Sequence, residues 1–303
     1  MSGTQTNRSA ITLPSEISSE ILQKMQEGSA VMRLARQIPL PGNGLTIPVI
    51  TSDPEAAWVD ETAAKPVSNP GLGTKLMSAY KLAVIVPFSK EFRRDLAALY
   101  DALVARLPAA LANKFDKTAI GAVDKPGENF DNFDNCTAQS LLAGEGHSAY
   151  DALVAAVTDV AEQNASLDGF AISPAAKGIL LGAKDGDGRP LFINSVAQGA
   201  IPMILGCPTY ENRGLYKSGA APVGSGSGTP AIVGVAGDWT QAVWGTVGGM
   251  EISFSDQATL VVDSSTTINL WQQNMFAVRA EIEVGFRALT ECFNLLTGAV
   301  PQA

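Results

Sequence analysis

The sequence predicts an α+β fold, and three patterns in it carry this prediction. Residues 92–115 place apolar side chains at steps of three or four, which is typical of an amphipathic helix. Residues 276–287 alternate apolar and charged side chains, which predicts a strand with one apolar face. Residues 58–95 put two strand-like ends around a long polar middle, which indicates a projecting hairpin. With 303 residues, 46% of them hydrophobic, the chain can form one large or two ordinary cores.

The N-terminal part of the chain is predicted to be a flexible segment followed by a helix. Residues 1–13 are polar, and Pro14 and Ser15 open a helical pattern that continues through Ala35. Gly28 is expected to interrupt this helix, because glycine destabilises helix interiors. An extended arm is expected after it.

The hairpin is predicted to lead outward along Leu45–Ile50 and Ala56–Val59 and to return along Tyr80–Val86. On the returning strand, alternate apolar residues share one face. An isolated two-stranded hairpin is only marginally stable in water, so this one is expected to lie on another subunit. The function that the sequence indicates is therefore assembly.

A long helix, the spine helix, is predicted after the hairpin, with Ser89 as its N-cap and Glu91 near its positive end. Pro108 is expected to bend or interrupt it, because proline lacks a backbone N–H. Residues 121–148 are rich in Gly, Asn and Asp and are predicted to form a loop that leads to a second domain. A domain boundary is expected near residue 148.

The second half of the chain is predicted to begin with helices and to end in strands. Residues 150–163 form an amphipathic helix, residues 169–174 a buried strand that Pro174 ends, and residues 175–183 a further helix. Residues 231–239 are predicted to be the first of several strands. No internal repeat is visible, which argues against solenoids and propellers.

Charge and cysteine content limit the classes of function. The formal net charge is −9, so nucleic-acid binding as the main task is disfavoured. The three cysteines are far apart and lack metal-type spacing, which favours buried free thiols in a reduced cytosolic protein. The N-terminus is not a signal peptide, and no apolar run reaches membrane-spanning length, so a soluble intracellular protein is expected.

Groups suited to catalysis or metal binding are scarce, so we expect no enzyme, cofactor or metal site. His147 is the single histidine, and no serine lies in a GxSxG elbow. Asp185 and Asp187 resemble part of a calcium loop, but the remaining ligands are missing, which favours a tight turn. The GSGSGTP segment lacks the lysine and the helix of a phosphate loop and is expected to be flexible.

Five segments, in this order, resemble the HK97-type major capsid proteins of tailed double-stranded DNA bacteriophages. They are AAWVDE (56–61), KLAVIVPFSKEFRRD (81–95), KDGDGRPLF (184–192), GDWTQAVWG (237–245) and NLWQQNMFAVRAEIEVGFRAL (269–289). The resemblance covers nearly the whole chain. It implies an N-terminal arm, an extended E-loop hairpin, a P-domain with the spine helix, and an A-domain. The predicted segments are 1–44 for the arm, 45–88 for the E-loop, 89–148 and 246–287 for the P-domain, and 149–245 and 288–303 for the A-domain.

The resemblance also implies a function and partners. Such subunits self-assemble as hexamers and pentamers into an icosahedral shell that encloses phage double-stranded DNA, so the protein is expected in the virion after assembly in the bacterial host cytoplasm. Because only residues 1–44 precede the E-loop, we expect a separate scaffolding protein, besides a portal and no membrane. An acidic shell would avoid trapping DNA on its wall during packaging.

Ten residues are predicted at assembly interfaces: Trp58, Glu61, Lys65, Lys75, Arg93, Arg94, Arg279, Glu281, Glu283 and Arg287. Trp58 is expected to pack on the adjacent subunit with Glu61 meeting a basic group there; the alternative is that Trp58 packs on the hairpin base and Glu61 lies in solvent. The charges of residues 279–287 either join neighbouring subunits or lie on a solvated sheet face. Two roles stay open for Arg33, Arg36, Arg93 and Arg94. They contact DNA or neighbouring subunits, or they are solvated on helix faces.

Some members of this family join subunits by isopeptide bonds between an E-loop lysine and an asparagine, assisted by a buried glutamate. Lys65 and Lys75 lie in the matching loop, but Asn294 and Glu291 lack a matching motif, so crosslinking stays open. Two other functions also stay open. One is an encapsulin-like compartment shell, and the other is a monomeric α/β ligand-binding or catalytic protein.

Overall fold

A computed structural model describes residues 15–52, 58–59, 65, 67, 71–91, 96–142, 144, 148–184, 203–222, 228–262 and 266–301. The helices are α1 Ser15–Gly28, α2 Ala30–Leu34, α3 Leu96–Ala119, α4 Ala149–Glu162 and α5 Pro174–Gly182. The strands are β1 Arg36–Pro39, β2 Leu45–Ser52, β3 Gly71–Met77, β4 Tyr80–Ser89, β5 Thr137–Ser140, β6 Gly169–Ile172, β7 Met203–Ile204, β8 Cys207–Glu211, β9 Ile232–Gly237, β10 Ala242–Thr246, β11 Glu251–Ser255, β12 Thr259–Val261, β13 Thr267–Asn269, β14 Met275–Ala288 and β15 Phe293–Thr297.

Two larger sheets organise these strands. In the five-stranded sheet, β14 pairs with β10 and β11 on one side and with β4 on the other, and β1 adds to β10. The six-stranded sheet has the order β5-β15-β9-β6-β8-β7. Two further pairs stand apart, β2 with β3 and β12 with β13. Helices and sheets together confirm the predicted α+β class.

The N-terminal helix and its interruption are confirmed. α1 ends at Gly28, and Ser29 caps α2 by accepting a hydrogen bond from the Met32 N–H (3.1 Å). The fully buried carboxylate of Asp116 on α3 accepts hydrogen bonds at this junction from Ser29 Oγ (2.5 Å) and from the Ala30 N–H (3.0 Å). The spine helix therefore holds the point where the N-terminal arm changes direction.

The long helix is confirmed, but its details differ from the prediction. α3 runs from Leu96 to Ala119 and continues through Pro108, which does not interrupt it. The helix is packed tightly enough for Leu107 and Leu111, on either side of the proline, to be fully buried. Ser89 ends β4 instead of capping α3, and its Oγ accepts from the Glu91 N–H (3.3 Å). Propensity alone is a weak guide where tertiary packing supports the helix.

The long C-terminal strand is confirmed and forms the centre of the main core. In β14, Phe276, Val278, Ala280, Ile282, Val284 and Phe286 are all buried. The Phe286 ring lies 5.8 Å from that of Phe115 on α3 and 5.7 Å from that of Phe133, measured between centroids. The spine helix and β14 are thus joined through aromatic rings.

The helices and strands of the second half are also confirmed. α4 begins with a capping box, in which Ser148 and Asp151 satisfy each other's backbone N–H groups. β6 is buried throughout, and Pro174 ends the strand because it is the first residue of α5. A second apolar cluster lies between α4, α5 and the six-stranded sheet.

The predicted returning strand of the hairpin is wrong. β2 pairs with β3, from Leu45 opposite Met77 to Ser52 opposite Gly71. β4 instead pairs with β14 over ten positions, from Tyr80 opposite Val284 to Ser89 opposite Met275. Its alternate apolar side chains pack on the main core, as their pattern indicated. The polar strand β3 carried too little pattern to be recognised, whereas the apolar β4 was visible.

Three strands pair with strands of other predicted segments, and the segment boundaries themselves stay predictions. β4 was placed with the E-loop and lies in the five-stranded sheet. β5 was placed with the P-domain and forms an edge of the six-stranded sheet, while β10 was placed mainly with the A-domain and lies in the five-stranded one. Long-range pairing decides these positions, and local residue patterns do not encode it.

Candidate assembly interface

The hairpin β2–β3 carries an exposed apolar tip. Within the described part of the chain, its two strands pair with each other and with no third strand. Trp58 is fully exposed, at 105% of its reference area, and Val67 is also largely exposed. The alternative in which Trp58 packs on the hairpin base therefore does not hold within this chain. A large indole on a two-stranded arm is costly to leave in water.

The remaining predicted residues of this region have different positions. Glu61, Arg93 and Arg94 lie outside the described residues. Lys65 is exposed. Lys75, on β3, is directed inward: its Nζ donates to the Ala288 carbonyl (2.9 Å) and lies 3.4 Å from Asp131 Oδ2. Of the two hairpin lysines, Lys75 contacts the body of the subunit, whereas Lys65 is exposed.

Arg287 is buried at the hairpin base and does not lie on a solvated face of β14. Its side chain is part of the hairpin base, where the Arg287 guanidinium reaches Asp131 Oδ1 (2.7 Å), and the residue is only 9% exposed. Nε and Nη2 also donate to the Leu76 carbonyl of β3 (2.8 and 2.5 Å). Period-two alternation placed Arg287 on the solvent face, but the polar loop after α3 covers that end of β14.

The other charges of β14 form ion pairs within the chain. Arg279 Nε lies 3.1 Å from Glu281 Oε2, and Lys81 Nζ of β4 lies 3.4 Å from Glu281 Oε1 and 3.5 Å from Glu283 Oε1. Hydrogen bonding to Glu281 and the charges of both glutamates raise the pKa of Lys81. Ile85 lies on the same outer face and is 49% exposed. The ion pairs between Arg279, Lys81 and the two glutamates are typical of a solvated sheet face. A contact of this face with a neighbouring subunit stays a prediction.

The arginines of the N-terminal arm have unlike surroundings. Arg33 stacks on the Tyr210 ring with its guanidinium carbon 4.0 Å from the ring centroid, which is a contact within the chain. Arg36 is exposed and lines, with Lys75, a cleft of about 360 Å³ between the hairpin base and the loop after α4. Neither position tests the predicted contact with DNA.

The residues considered for crosslinking are not brought together. Asn294 is 1% exposed within the six-stranded sheet, and its Nδ2 donates to the Ala156 carbonyl (3.2 Å). Lys75 is held at the hairpin base. An asparagine in this position is closed to an incoming lysine, so the structure offers Asn294 no role in a bond between subunits.

Few reactive groups are present in the described residues. Burial, with a smaller contribution from the charge of Asp134, raises the pKa of the Cys136 thiol to about 12, so it stays protonated. Cys136, Cys207 and Cys292 are free thiols, and only the last is fully buried. No cluster of three metal-binding side chains occurs in the described ranges. None of the helices described is long and apolar enough to span a membrane.

Several residues at the hairpin base were missed by sequence reasoning. Asn129 and Asp131 were assigned to a connecting loop on composition, yet both bind Arg287. Gly285 was taken as part of an alternating strand, although a Cβ there would lie 2.7 Å from the Ser78 carbonyl oxygen. No local signal could have found these contacts, because the loop lies 156 to 159 residues before Arg287 in the chain.

Comparison with known proteins agrees with this architecture. A family model described as the phage capsid family matches residues 9–296. The probable major capsid protein gp17 of Mycobacterium phage L5 is 32% identical over 287 residues, which cover 90% of this chain and 85% of the relative. The corresponding protein of Mycobacterium phage D29 is 28% identical and covers 95% and 90%.

Solved structures give the same fold. A chain of Mycobacterium phage Ogopogo superposes with a TM-score of 0.69 at 21% identity, covering 90% of this chain and 92% of that chain. A chain of Gordonia phage Cozz gives a TM-score of 0.67 at 22% identity, covering 90% and 87%. Neither the compartment shell nor the monomeric protein is favoured by these matches. With its projecting hairpin, spine helix and two sheets, the chain belongs to the phage capsid family and is a major capsid protein of the HK97-like fold.

Proposed function

We propose that this protein forms hexamers and pentamers that close into an icosahedral shell around phage double-stranded DNA, with each hairpin lying across a neighbouring subunit. The observation that carries the proposal is the fully exposed Trp58 on a hairpin that pairs with no third strand among the described residues. A buried aromatic anchor at an interface contributes about 2 kcal/mol or more to binding, as measured by its truncation.

Two further observations support the proposal. A solved structure at 17% identity, the capsid of a native GTA particle computed with C5 symmetry, has a TM-score of 0.59 and covers 99% of this chain, and that particle is described with five-fold symmetry. The net charge of −9 also suits a wall that DNA must pass without adhering to it.

The experiment that tests the proposal is electron microscopy of purified particles combined with nuclease digestion. We expect closed shells with five-fold and six-fold clusters, and DNA that nuclease degrades only after the shells are opened. Particles that contain a co-purifying enzyme and no DNA would support a compartment instead. A compact monomer on gel filtration at all concentrations would contradict assembly altogether.

We also propose a separate scaffolding protein, a portal and assembly in the host cytoplasm, because these accompany such shells in the family that the chain resembles. Expression of this chain without phage partners tests the scaffold. The expected products are open sheets, tubes or shells of mixed diameter. Uniform closed shells from the chain alone would contradict the need for a scaffold.

We propose finally that the chain has no catalytic activity of its own, crosslinking included. The engaged Lys75 and the buried Asn294 support this proposal.

A further inference from the structure

The hairpin joins the body of the subunit through Leu76–Ala79, and the apolar side of this junction lies on two glycines. Met77 is fully buried and packs with Leu40 and Val243. Gly245 and Gly285 are cross-strand partners in β10 and β14 and lie directly beneath it. A small apolar cluster, separate from the two main cores, therefore surrounds the point where the hairpin begins.

The glycine pair leaves room that any side chain would fill. A Cβ on Gly285 would lie 2.7 Å from the Ser78 carbonyl oxygen and 2.9 Å from Met77 Cγ. A Cβ on Gly245 would lie 2.6 Å from the Ile38 carbonyl oxygen and 3.2 Å from Met77 Cε. Because the contact of Gly285 is with the backbone of Ser78, a larger residue at 285 would push the junction away from the sheet, whereas one at 245 would displace β1 at Ile38 and the Met77 side chain.

The polar side of the junction is held by Arg287, whose guanidinium uses all five of its N–H donors. Besides two bonds to the Leu76 carbonyl and one to Asp131, Nη2 donates to Asn129 Oδ1 (2.9 Å) and Nη1 to the Glu128 carbonyl (3.3 Å). One side chain of β14 thereby joins the hairpin strand β3 to the loop after the spine helix.

Asp131 and Asn129 extend this network to the hairpin. Asp131 Oδ2 accepts from the Ala288 N–H (3.2 Å) and lies 3.4 Å from Lys75 Nζ. Asn129 Nδ2 donates to Ser78 Oγ (3.2 Å), and the Asn129 N–H donates to Tyr80 Oη (3.1 Å). A largely buried network in which donors and acceptors are paired holds a single geometry, because any rotation leaves polar groups unsatisfied.

We propose that Arg287, Asp131 and the Gly245–Gly285 pair form a hairpin anchor, which sets the direction in which β2–β3 projects and so positions the hairpin on the neighbouring subunit. This inference depends on the proposed contact between the hairpin and a neighbour. The anchor residues are positioning residues and do not themselves touch the neighbour.

Lever geometry explains why the direction must be fixed. Eight residues of β2 extend roughly 25 Å at about 3.3 Å per residue. A change of about 10° at the anchor would move the far end of β2 by roughly 4 Å, which is the whole distance of an apolar contact. A hairpin with a loose base would still fold, but its tip would miss its place on the neighbour.

The test uses Arg287→Lys and Asp131→Asn in the full-length chain. The first keeps the positive charge and loses the forked donors, and the second loses one carboxylate oxygen that the network uses. Lys177→Gln serves as the matched control, because it breaks an ion pair with Glu211 (3.0 Å) that is remote from the hairpin. Gly285→Ala tests the apolar side independently.

Two measurements are required on each variant: amide hydrogen exchange of the unassembled protein, and electron microscopy after assembly. We expect β2 and β3 amides to exchange about tenfold faster while β9 and α4 amides stay at wild-type rates. We expect assembly to give open sheets or shells of mixed diameter, and Lys177→Gln to behave as wild type in both measurements.

Three outcomes would overturn the inference. Faster exchange across both large sheets would mean that the network merely stabilises the fold. Faster exchange at the hairpin together with normal shells would mean that its direction does not matter. Unchanged exchange in all three anchor variants would mean that they do not hold the hairpin.

A further variant, Trp58→Ala, distinguishes failure of this inference from failure of the proposed function. If Trp58→Ala and the anchor variants all form normal shells, the proposed contact between the hairpin and a neighbouring subunit is wrong. If Trp58→Ala fails to assemble while the anchor variants form normal shells, the contact stands and only the proposed role of the anchor is wrong.

Discussion

At the scale of single residues, Trp58 and Arg287 show how differently two residues predicted for one interface can be placed. The indole is fully exposed at the end of an arm, while the guanidinium is 9% exposed beneath its base. The sequence places Trp58 in a projecting loop but leaves open whether the indole packs on the hairpin base, and its full exposure removes that alternative. The burial of Arg287 could not be predicted from sequence, because its acceptors come from a loop 156 to 159 residues earlier in the chain.

Trp58→Ala should leave the folded subunit as stable as wild type and impair assembly. An exposed substitution changes the free energy of unfolding by less than about 0.5 kcal/mol, whereas a lost interface anchor costs about 2 kcal/mol or more in binding. Urea denaturation of the unassembled protein and counting of closed shells check the two parts. Trp239→Ala is the control, because that indole is buried and its loss should destabilise the subunit by about 3–5 kcal/mol.

Asp116→Asn should change the pH dependence of stability. Burial raises the pKa of Asp116 from 3.8 to about 7, against the hydrogen bonds from Ser29 and Ala30. Between these values the folded protein holds a proton that the unfolded chain releases, so this carboxyl lowers stability as pH rises from about 4 to about 7. Asparagine does not titrate, so the variant lacks this contribution to the pH dependence of stability. The stability of the variant relative to wild type should therefore rise over this window.

Urea denaturation of unassembled wild type and Asp116→Asn at pH 5 and pH 8 measures the effect. The difference between the two proteins at each pH removes the contributions of all other groups. An unchanged difference between the two pH values would show that the Asp116 pKa is not raised.

At the scale of elements, the strength of the local pattern decided what could be predicted. β14 and α3 were found because their apolar periods extend over many residues, and α4 because Ser148 and Asp151 mark its start. β3 was missed because it contains two glycines and a lysine. The pairing of β4 with β14 could not be predicted either, since two apolar strands can pair in many registers until the whole sheet selects one.

The two faces of the five-stranded sheet should differ sharply in their sensitivity to the same substitution. Ile282→Ala removes a buried side chain and should cost about 2–5 kcal/mol of unfolding free energy. Ile85→Ala, on the outer face of the adjacent strand, should cost less than about 1 kcal/mol. Urea denaturation of both unassembled variants provides the comparison. Equal losses would mean that the outer face is also enclosed within the subunit.

At the scale of the whole molecule, the acidic chain combines a projecting hairpin with two large sheets. The main apolar cluster contains side chains of both sheets, and a second cluster lies between the six-stranded sheet and its helices. The family, the fold class and the outgoing strand of the hairpin were accessible from sequence, whereas its returning strand was not. The geometry of the hairpin base was not, because it arises where β3, β14 and the loop after α3 meet, and these segments lie far apart in the chain.

Unassembled protein should show no measurable binding to duplex DNA at about 150 mM salt. Phosphate binding depends on clustered lysine and arginine, and this chain has a net charge of −9. An electrophoretic mobility shift with random-sequence duplex checks the expectation. Retarded DNA would point instead to a local basic surface, and the variant Arg33→Gln/Arg36→Gln would then identify whether the N-terminal arm supplies it.

Mature particles should give a single monomer band on denaturing electrophoresis. Lys75 is engaged at the hairpin base and Asn294 is buried, which leaves Lys65 as the accessible hairpin lysine. A ladder of covalent oligomers that disappears in Lys65→Arg would contradict this expectation and assign the bond to that lysine.

The open sides of β2 and β3 have a consequence for the newly made chain. Unpaired edges invite uncontrolled strand addition, which leads to amyloid-like aggregates. Pro48 lies in the middle of β2 and has no backbone N–H to donate to another strand. A proline within an edge strand disfavours extension of the ladder, so we expect the hairpin to dock on a neighbour through its side chains.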